Sequence, residues 1–127
     1  MYKKKLMINL VEYYFENIDS FNIPAVLSCL TKDAQIEIVT SSLTHIGRDE
    51  DIRTMLERRK KATEKAWHGN FKHLVDTENG WVTSRFDIKR KSSDGKYREM
   101  DNINFFTFDG LKIKKISIWM SGENSLP

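Results

Sequence analysis

The sequence predicts an α+β fold in which three N-terminal helices cover one face of a curved antiparallel sheet. In the first half of the chain, apolar residues recur with a helical period in three segments. The second half carries three hairpin signals: Asn79-Gly80, Asp94-Gly95 and Asp109-Gly110. With 127 residues and no linker or repeat, the chain is expected to form one domain over residues 1–127.

The helices are predicted at residues 3–18, 23–30 and about 49–62. In the first helix one arc collects Met7, Leu10, Val11, Tyr14 and Ile18. Pro24 suits the first turn of the second helix. In the third, acids at 49–51 and basic residues at 58–61 complement the helix dipole. Between the second and third helices, apolar and polar residues alternate in DAQIEIV, which predicts a strand at about 33–39. Residues 41–47 predict a turn with a short return strand.

The four later strands are expected at about 66–78, 81–92, 96–108 and 111–121. If each turn is a two-residue loop, Phe86 lies opposite Ile103 and Ile88 opposite Asp101. A longer, bulged loop at SSDG would instead turn Asp101 outward. The two-residue loop is preferred because it gathers the apolar side chains under the helices. That inner face then holds Phe71, His73, Val75, Ser84, Phe86, Ile88, Asp101, Ile103, Phe105, Ile116, Ile118 and Met120.

The same register predicts an amphipathic outer face. It brings together four large apolar side chains: Leu74, Met100, Phe106 and Trp119. A large apolar patch seldom stays in contact with water, so we expect a homodimer through this face. The register also places Lys72 opposite Asp87 as an ion pair.

Composition narrows the choice of partner and compartment. The net charge is only +3, and the basic residues are scattered among acids, as in ERRKKATEK, so no nucleic-acid partner is expected. No stretch approaches the roughly 20 apolar residues that span a bilayer. The single cysteine, Cys29, excludes an internal disulfide and fits a reducing compartment. We therefore predict a soluble, cytoplasmic protein with no membrane partner.

Three side chains on the predicted inner face carry the possible chemistry. Asp101 stands among apolar residues, where a carboxylate must be paired, protonated or used. Tyr14, at the centre of a buried arc, must bond its hydroxyl or point it into a pocket. His73 lies two strands from Asp101, roughly 10 Å away, so a small ligand could touch both. Each side chain also has a purely structural interpretation, with its polar atoms satisfied by backbone, water or a neighbour.

A metal site is not expected. His68 and His73 are five residues apart on one strand and should therefore point to opposite faces, while His45 lies in a distant loop. No closely spaced Cys/His pattern, phosphate-binding glycine loop or nucleophile elbow is present. We predict no cofactor.

The layout resembles the nuclear transport factor 2-like superfamily, which includes ketosteroid isomerases and SnoaL-like polyketide cyclases. The resemblance covers nearly the whole chain and rests on the helix through Tyr14, LTKDAQIEI, HIGRDEDIRTML and DNINFFTFDGLKIKKISIWM. The most recognisable part is FFTFDGLKI. The resemblance implies a cone of three helices on a strongly curved sheet, which encloses a pocket for a small hydrophobic molecule. It also implies a dimeric assembly.

Ketosteroid isomerase is the closest functional comparison. That family uses a first-helix tyrosine and a protonated strand aspartic acid to stabilise an oxyanion, which implies such roles for Tyr14 and Asp101. Its base aspartate falls at Ile38, which takes no proton, so His73 is the candidate that moves the proton. The pocket is expected to be lined by Ile38, Phe71, Phe86, Ile88, Ile103, Ile116, Ile118 and Met120.

Two classes of function follow. The first is an isomerase, dehydratase or cyclase that acts on a small apolar molecule and has no base aspartate. The second is a non-catalytic ligand-binding or dimerisation module of the same fold. Fold alone does not choose between them.

Overall fold

A computed structural model describes residues 2–62, 65–91 and 94–127. The helices are α1 (Lys4–Asp19), α2 (Ile23–Ser28) and α3 (Arg53–Lys61), and a π-helical turn (Gly47–Ile52) leads into α3. The strands are β1 (Leu30–Ile38), β2 (Leu43–Ile46), β3 (Lys65–Asp76), β4 (Trp81–Lys91), β5 (Tyr97–Asp109) and β6 (Lys112–Met120). The predicted end of β4 at residue 92 lies outside the described residues.

The six strands form one sheet in the order β2-β1-β6-β5-β4-β3. Neighbouring strands are antiparallel except β1 and β6, which run parallel. The three helices, the short return strand and the long curved sheet confirm the predicted α+β cone. Among the described helices, none is long and apolar enough to cross a membrane.

The core lies between α1 and the inner face of the sheet. Phe15 occupies its centre, with ring centroids 4.6 Å from Phe86, 5.2 Å from Phe71 and 5.9 Å from Phe106. Each buried aromatic ring contributes about 2–3 kcal/mol through removal of apolar surface from water. The periodic arc of α1 is thus anchored on the middle of the sheet.

The β3–β4 hairpin has a longer loop than the sequence predicts. Asp76 pairs with Trp81 and His73 with Ser84, so residues 77–80 form the loop. The Asp76 carboxylate accepts hydrogen bonds from the backbone N–H groups of Glu78 and Asn79, at 2.9 and 3.0 Å, and stabilises the wider turn. The pairing of β3 with β4 is shifted by two residues from the prediction. Because side chains alternate between the two faces, a shift of two leaves each residue of β4 on its predicted face.

The β4–β5 register differs from the prediction by one residue, which reverses the faces of β5. Ile88 pairs with Met100, and Phe86 pairs with Asn102. The strands diverge at Lys91 and Tyr97, so the connection spans residues 92–96 and not a two-residue turn at Asp94-Gly95. The predicted pairs of Phe86 with Ile103 and Ile88 with Asp101 are therefore wrong.

The observed register buries two phenylalanine rings of β5, Phe106 and Phe108, and keeps the Asp101 carboxylate in water. Phe106 is 0% exposed, whereas Ile103 on the opposite face of β5 is 42% exposed. The inward polar residues are Asn102 and Asn104 in place of Asp101. A neutral amide costs less to bury than an ionised carboxylate, which favours this register.

A second irregularity returns β6 to its predicted face. The pairing of β5 with β6 shifts between Thr107 and Phe108, so that Ile116 pairs with Phe106 and Ile118 with Asn104. Ile116, Ile118 and Met120 are buried. The predicted inner residues of β6 are therefore correct although the strand beside it is reversed.

The outer face consequently has a different apolar set. Leu74 and Trp119 are exposed there as predicted, but Phe106 and Met100 point inward. The exposed apolar surface is completed by Ile103 and by Trp81, whose ring lies 5.7 Å from that of Phe105. The predicted ion pair is also wrong: Lys72 lies opposite Arg85, and Asp87 accepts a hydrogen bond from the side-chain amide of Asn70.

Candidate active site

A small cavity remains inside the cone between α1, the sheet and the C-terminal segment. Its volume is about 30 Å³, enough to hold a water molecule and far too small for a drug-sized ligand. Phe15, Phe86, Ile88, Ile118 and Met120 supply most of the apolar wall. The polar lining comes from Tyr14, His68, Asn102, Asn104, Arg59 and Ser125. The cavity is thus apolar with a few convergent polar groups.

His68 is held by a carboxylate at the end of the first helix. Asp19 accepts hydrogen bonds from the His68 backbone N–H, at 2.9 Å, and from ring atom Nδ1. The imidazole lies between two aromatic rings, with centroids 5.1 Å from Phe15 and 5.6 Å from Phe86. Since an ionised carboxylate only accepts, Nδ1 carries a proton, so the neutral tautomer of this ring has its lone pair on Nε2.

The position of His68 contradicts the expectation that it and His73 face opposite ways. The pairing of β3 with β4 shifts between Gly69 and Lys72, where Asn70 adopts a left-handed φ of 55°. The extra residue of this bulge turns both histidines to the inner face. The Gly69-Asn70 pair was the available sequence signal, because glycine and asparagine within a strand often mark a bulge.

Tyr14 lies inside the cone as predicted. Burial raises the pKa of its phenol well above the ordinary value, and the nearby charge of Arg59 offsets only part of that effect. Tyr14 is therefore a protonated donor at neutral pH and borders the cavity.

Asn104 offers a second polar group to the same cavity. Its side-chain oxygen is buried and has no hydrogen-bond partner in the described part of the chain. Its neighbour on the inner face, Asn102, uses its oxygen to accept from the backbone N–H of Ser121 at 3.3 Å. A buried amide oxygen without a partner is costly, and a bound molecule with a donor would remove that cost.

Asp101 does not belong to this site. It lies on the outer face of β5, where Arg85 binds its Oδ2 through Nη2 at 2.6 Å and through Nε at 3.1 Å. The hydrogen bonds from Arg85 hold the pKa of this exposed carboxyl below its ordinary value. The expectation of a buried, protonated Asp101 beside Tyr14 is wrong because β5 presents its other face to the cone.

His73 faces inward, but both ring nitrogens are engaged. Nδ1 lies 2.7 Å from Oγ of buried Ser84, and Nε2 lies 3.0 Å from a carboxylate oxygen of Glu12 on α1. These contacts tie the first helix to the sheet. The arrangement matches the structural interpretation of His73 and leaves it no nitrogen for a ligand.

The predicted ligand-binding residues divide into three groups. Phe86, Ile88, Ile118 and Met120 line the cavity. Ile38 and Ile116 are fully buried in the surrounding core, and Phe71 packs against it. Ile103 lies on the outer face. The prediction thus located the wall of the cone correctly on β4 and β6 and failed on β5.

The C-terminal segment packs against the interior cavity. Leu126 is buried and borders the interior cavity, and its carbonyl accepts a hydrogen bond from Nε2 of His45 at 2.9 Å. The other ring nitrogen of His45 lies 3.1 Å from Asp51. Burial alone would raise the pKa of Asp51, but hydrogen bonds from His45 and from the backbone N–H of Ile46 lower it overall. An ionised Asp51 thus fixes the imidazole that holds the segment.

A larger cleft of about 390 Å³ lies beside the C-terminal segment. We call it the arginine cleft, after Arg58, Arg59, Arg90 and Arg98 in its wall. It shares Arg59, Ser125 and Leu126 with the interior cavity. The described residues contain no group of three or more Cys, His, Asp or Glu side chains placed to hold a metal ion.

Comparison with known proteins identifies the fold. The sequence matches no protein-family model and no curated protein. In structure, the chain is similar to a candidate polyketide cyclase from Xanthomonas campestris pv. campestris, with a TM-score of 0.80 and 15% identity over 91% of this chain and 90% of that one. A candidate ketosteroid isomerase from Kribbella flavida gives a TM-score of 0.74 and 12% identity over 100% and 86%.

A third similar structure is a nuclear transport factor 2-like protein from Burkholderia xenovorans, with a TM-score of 0.76 and 12% identity over 95% and 93%. These neighbours confirm the resemblance to the nuclear transport factor 2-like and SnoaL-like fold. Identities of this size establish the fold and leave the reaction to be argued from the site.

Proposed function

We propose that this chain, which has the nuclear transport factor 2-like fold, is an enzyme that moves a proton on a small, largely apolar molecule inside its cone. The reaction would be an isomerisation, elimination or cyclisation, the class predicted from the sequence. His68 replaces both the missing base at Ile38 and the predicted His73. The observation that carries the proposal is the Asp19–His68 pair at the wall of an apolar cavity.

The Asp19–His68 pair has the form of an oriented general base. Asp19 fixes the tautomer that leaves the lone pair on Nε2, and Phe15 and Phe86 hold the ring plane. When His68 takes a proton, the resulting imidazolium is stabilised by the Asp19 carboxylate at its other nitrogen. Positioned acid–base groups of this kind contribute about 10²–10⁴-fold to a rate.

Tyr14 supplies the matching electrophilic group. Removal of a proton beside a carbonyl leaves negative charge on the carbonyl oxygen, and a neutral phenol can donate a hydrogen bond to that oxygen. The raised pKa keeps the phenol proton on Tyr14. His68 then returns its proton to a different carbon, which completes an isomerisation, or to a β-hydroxyl that leaves as water, which completes an elimination.

Entry of a substrate requires the C-terminal segment to move. The cavity of about 30 Å³ is far smaller than the roughly 300 Å³ of a typical ligand site. Leu126 lines both this cavity and the arginine cleft, and displacement of its side chain would enlarge the space available to a substrate. We therefore include opening at Leu126 as a step of the proposed reaction.

The second candidate function is a non-catalytic binding or dimerisation module. The nearly filled cone favours it, because a permanently closed interior would make His68 a structural residue. The apolar outer face, with Trp81, Ile103 and Trp119 exposed, is compatible with homodimerisation under either function. The compartment proposed for both remains the cytoplasm.

Hydrogen–deuterium exchange of small ketones separates the two functions without requiring the natural substrate. Cyclohexenone, tetralone and a steroid enone in D₂O would be followed by NMR for exchange of protons next to the carbonyl. The wild-type protein is expected to accelerate exchange of at least one ketone. His68→Asn should reduce that acceleration about 100-fold or more, and Tyr14→Phe about 10-fold.

His73→Asn is the matched control, since it removes another inward-facing histidine of β3 whose nitrogens are already engaged. It should keep most of the acceleration. The enzyme proposal fails if no ketone exchanges faster with the protein present, or if His68→Asn exchanges as fast as wild type.

A further inference from the structure

The C-terminal segment, residues 121–127, is attached to the folded chain through a buried histidine. The segment contains no helix or strand, so its backbone has no regular hydrogen-bond pattern. Leu126 within it is buried and lines the interior cavity. The Leu126 carbonyl accepts a hydrogen bond from Nε2 of His45 at 2.9 Å, and His45 is itself buried. A buried hydrogen bond is costly to lose, so the protonation of His45 bears directly on the position of Leu126.

Both neighbours of the His45 ring are hydrogen-bond acceptors. A backbone carbonyl only accepts, so Nε2 carries a proton when it bonds Leu126. At the other nitrogen, Oδ1 of Asp51 lies 3.1 Å from Nδ1. Burial raises the pKa of Asp51, but hydrogen bonds from His45 and from the Ile46 N–H lower it overall, so this carboxylate is ionised and also only accepts. A ring that donates through both nitrogens is the charged imidazolium form.

A neutral His45 ring cannot make both contacts. It has one N–H group, and its other nitrogen presents a lone pair. The charged Asp51 carboxylate is the stronger acceptor and keeps the remaining proton on Nδ1. The lone pair of Nε2 then faces the Leu126 carbonyl oxygen across 2.9 Å, and two acceptors repel each other. Loss of one proton therefore breaks the attachment at Leu126 and leaves the one at Asp51.

The charged groups around His45 come from the neighbouring elements. The π-helical turn presents Asp51 to the ring, and α3 contributes Arg58, whose charge acts on Asp51. β1 places an isoleucine opposite His45. On the cavity side of Leu126, His68 lines the same space. Because arginine stays protonated and Asp51 stays ionised, the histidines are the members of this set that change charge near neutral pH.

We propose that His45 is a proton-controlled latch: its imidazolium holds Leu126 against the interior cavity, and loss of one proton releases the C-terminal segment. The segment is held at low pH and is released as the pH rises through the range in which histidine loses its charge, about pH 5–8. Release frees the side chain that a substrate must displace. The latch itself needs no reaction, and only its role in substrate entry rests on the proposed function.

NMR of the full chain at pH 5.5 and pH 8.5 would test the latch. Ring ¹⁵N shifts report whether His45 carries one proton or two, and relaxation dispersion of the Leu126 methyl groups reports the fraction of molecules with the segment detached. We expect two ring protons at pH 5.5 and one at pH 8.5. The detached fraction should rise at least tenfold between these pH values, the effect of losing one hydrogen bond from a charged group.

Two substitutions separate the protonation of His45 from other effects of pH. In Asp51→Asn the amide nitrogen can donate to Nδ1 while the amide oxygen still accepts from the Ile46 N–H, so a neutral ring keeps its proton on Nε2 for Leu126. This variant should hold the segment equally at both pH values. His45→Phe keeps a ring but has no donor, so it should release the segment at both pH values.

His68→Asn is the control, because His68 lines the same cavity as Leu126 and is also a histidine. Its pH response should match that of wild type within twofold, and circular dichroism would verify that all three variants fold. The latch is overturned if wild type holds the segment equally at both pH values or if the His45 ring carries one proton at pH 5.5. It is also overturned if Asp51→Asn responds to pH as wild type does, or if His45→Phe holds the segment as wild type does at pH 5.5.

The ketone exchange assay distinguishes failure of the latch from failure of the proposed reaction. If wild type accelerates ketone exchange while the segment does not respond to pH, the latch alone is overturned. If the segment responds to pH as expected while no ketone exchanges faster, the latch stands and the proposed reaction fails.

Discussion

Two histidines on one strand show how the surroundings of a residue decide its role. His73 uses both nitrogens to connect β3 with Ser84 and Glu12, whereas His68 uses only Nδ1, on Asp19. Both carry the same side chain on the same face of the sheet. The difference lies in the surroundings of the two rings, since His68 also lines the interior cavity.

Cys29 gives a pH-dependent prediction at the same scale. Burial raises the pKa of this thiol from 9.0 to about 11, against smaller opposing contributions from Ser28 and Lys112. In the unfolded chain the thiol ionises first, so its contribution to stability is complete below pH 9 and is lost between pH 9 and 11. Over that interval the free energy of unfolding should fall by roughly 1–2 kcal/mol more in wild type than in Cys29→Ser.

Urea titrations of both proteins at pH 7, 9 and 11 would measure this difference. Other groups titrate in the same range but do so in both proteins, so the difference reports Cys29 alone. Equal pH dependence of the two proteins would show that the thiol ionises as easily folded as unfolded.

At the scale of elements, the reversal of β5 is the main departure from expectation. A one-residue change in the β4–β5 connection exchanges Asp101, Ile103 and Phe105 for Asn102, Asn104 and Phe106 on the inner face. The later shift between Thr107 and Phe108 keeps β6 unaffected. The extra residue lies in β6, where the pairing passes from Ile113 to Lys115, and it compensates for the reversal of β5.

Alanine substitution of adjacent phenylalanines tests this register. Phe106→Ala should cost about 3–5 kcal/mol of unfolding free energy, since Phe106 is fully buried and a cavity would remain. Phe105→Ala should cost about 1 kcal/mol, since Phe105 lies on the outer face against Trp81. Chemical denaturation would measure both, and a larger loss for Phe105→Ala would indicate the opposite register.

At the scale of the whole molecule, the outer face of the sheet exposes more apolar side chains than a stable monomer is expected to. Leu74, Trp81, Ile103 and Trp119 are all large, apolar and substantially exposed on it. A monomer seldom exposes several large apolar side chains on one sheet face to water. The proposed homodimer would cover these side chains and leave the mouth of the cone accessible on a different part of the surface.

Sedimentation of a charged variant tests the dimer. The wild-type protein is expected to sediment as a dimer at micromolar concentration, and Ile103→Glu should shift it to a monomer by placing a charge in the apolar interface. Leu111→Glu is the control, because Leu111 is exposed at the β5–β6 turn away from this face. A wild-type monomer at high micromolar concentration would contradict the proposal.

The sequence by itself determined the elements and the fold. Helical periodicity located α1, α2 and α3, and the Gly-containing turns located the strands, because both signals depend on local backbone preferences. It also identified Tyr14 as an inward hydroxyl and β4 and β6 as walls of the cone. Each of these inferences depends on residues close together in the chain.

The tertiary structure alone decided which face β5 presents and which histidine borders the cavity. Both depend on single-residue irregularities: the length of the β4–β5 connection and the bulge at Asn70. One inserted residue reverses every later side chain, and the choice is made by the summed burial of distant partners. For that reason the sequence indicated a polar group inside the cone, and only the folded chain showed that Asn104 and His68 take the places expected of Asp101 and His73.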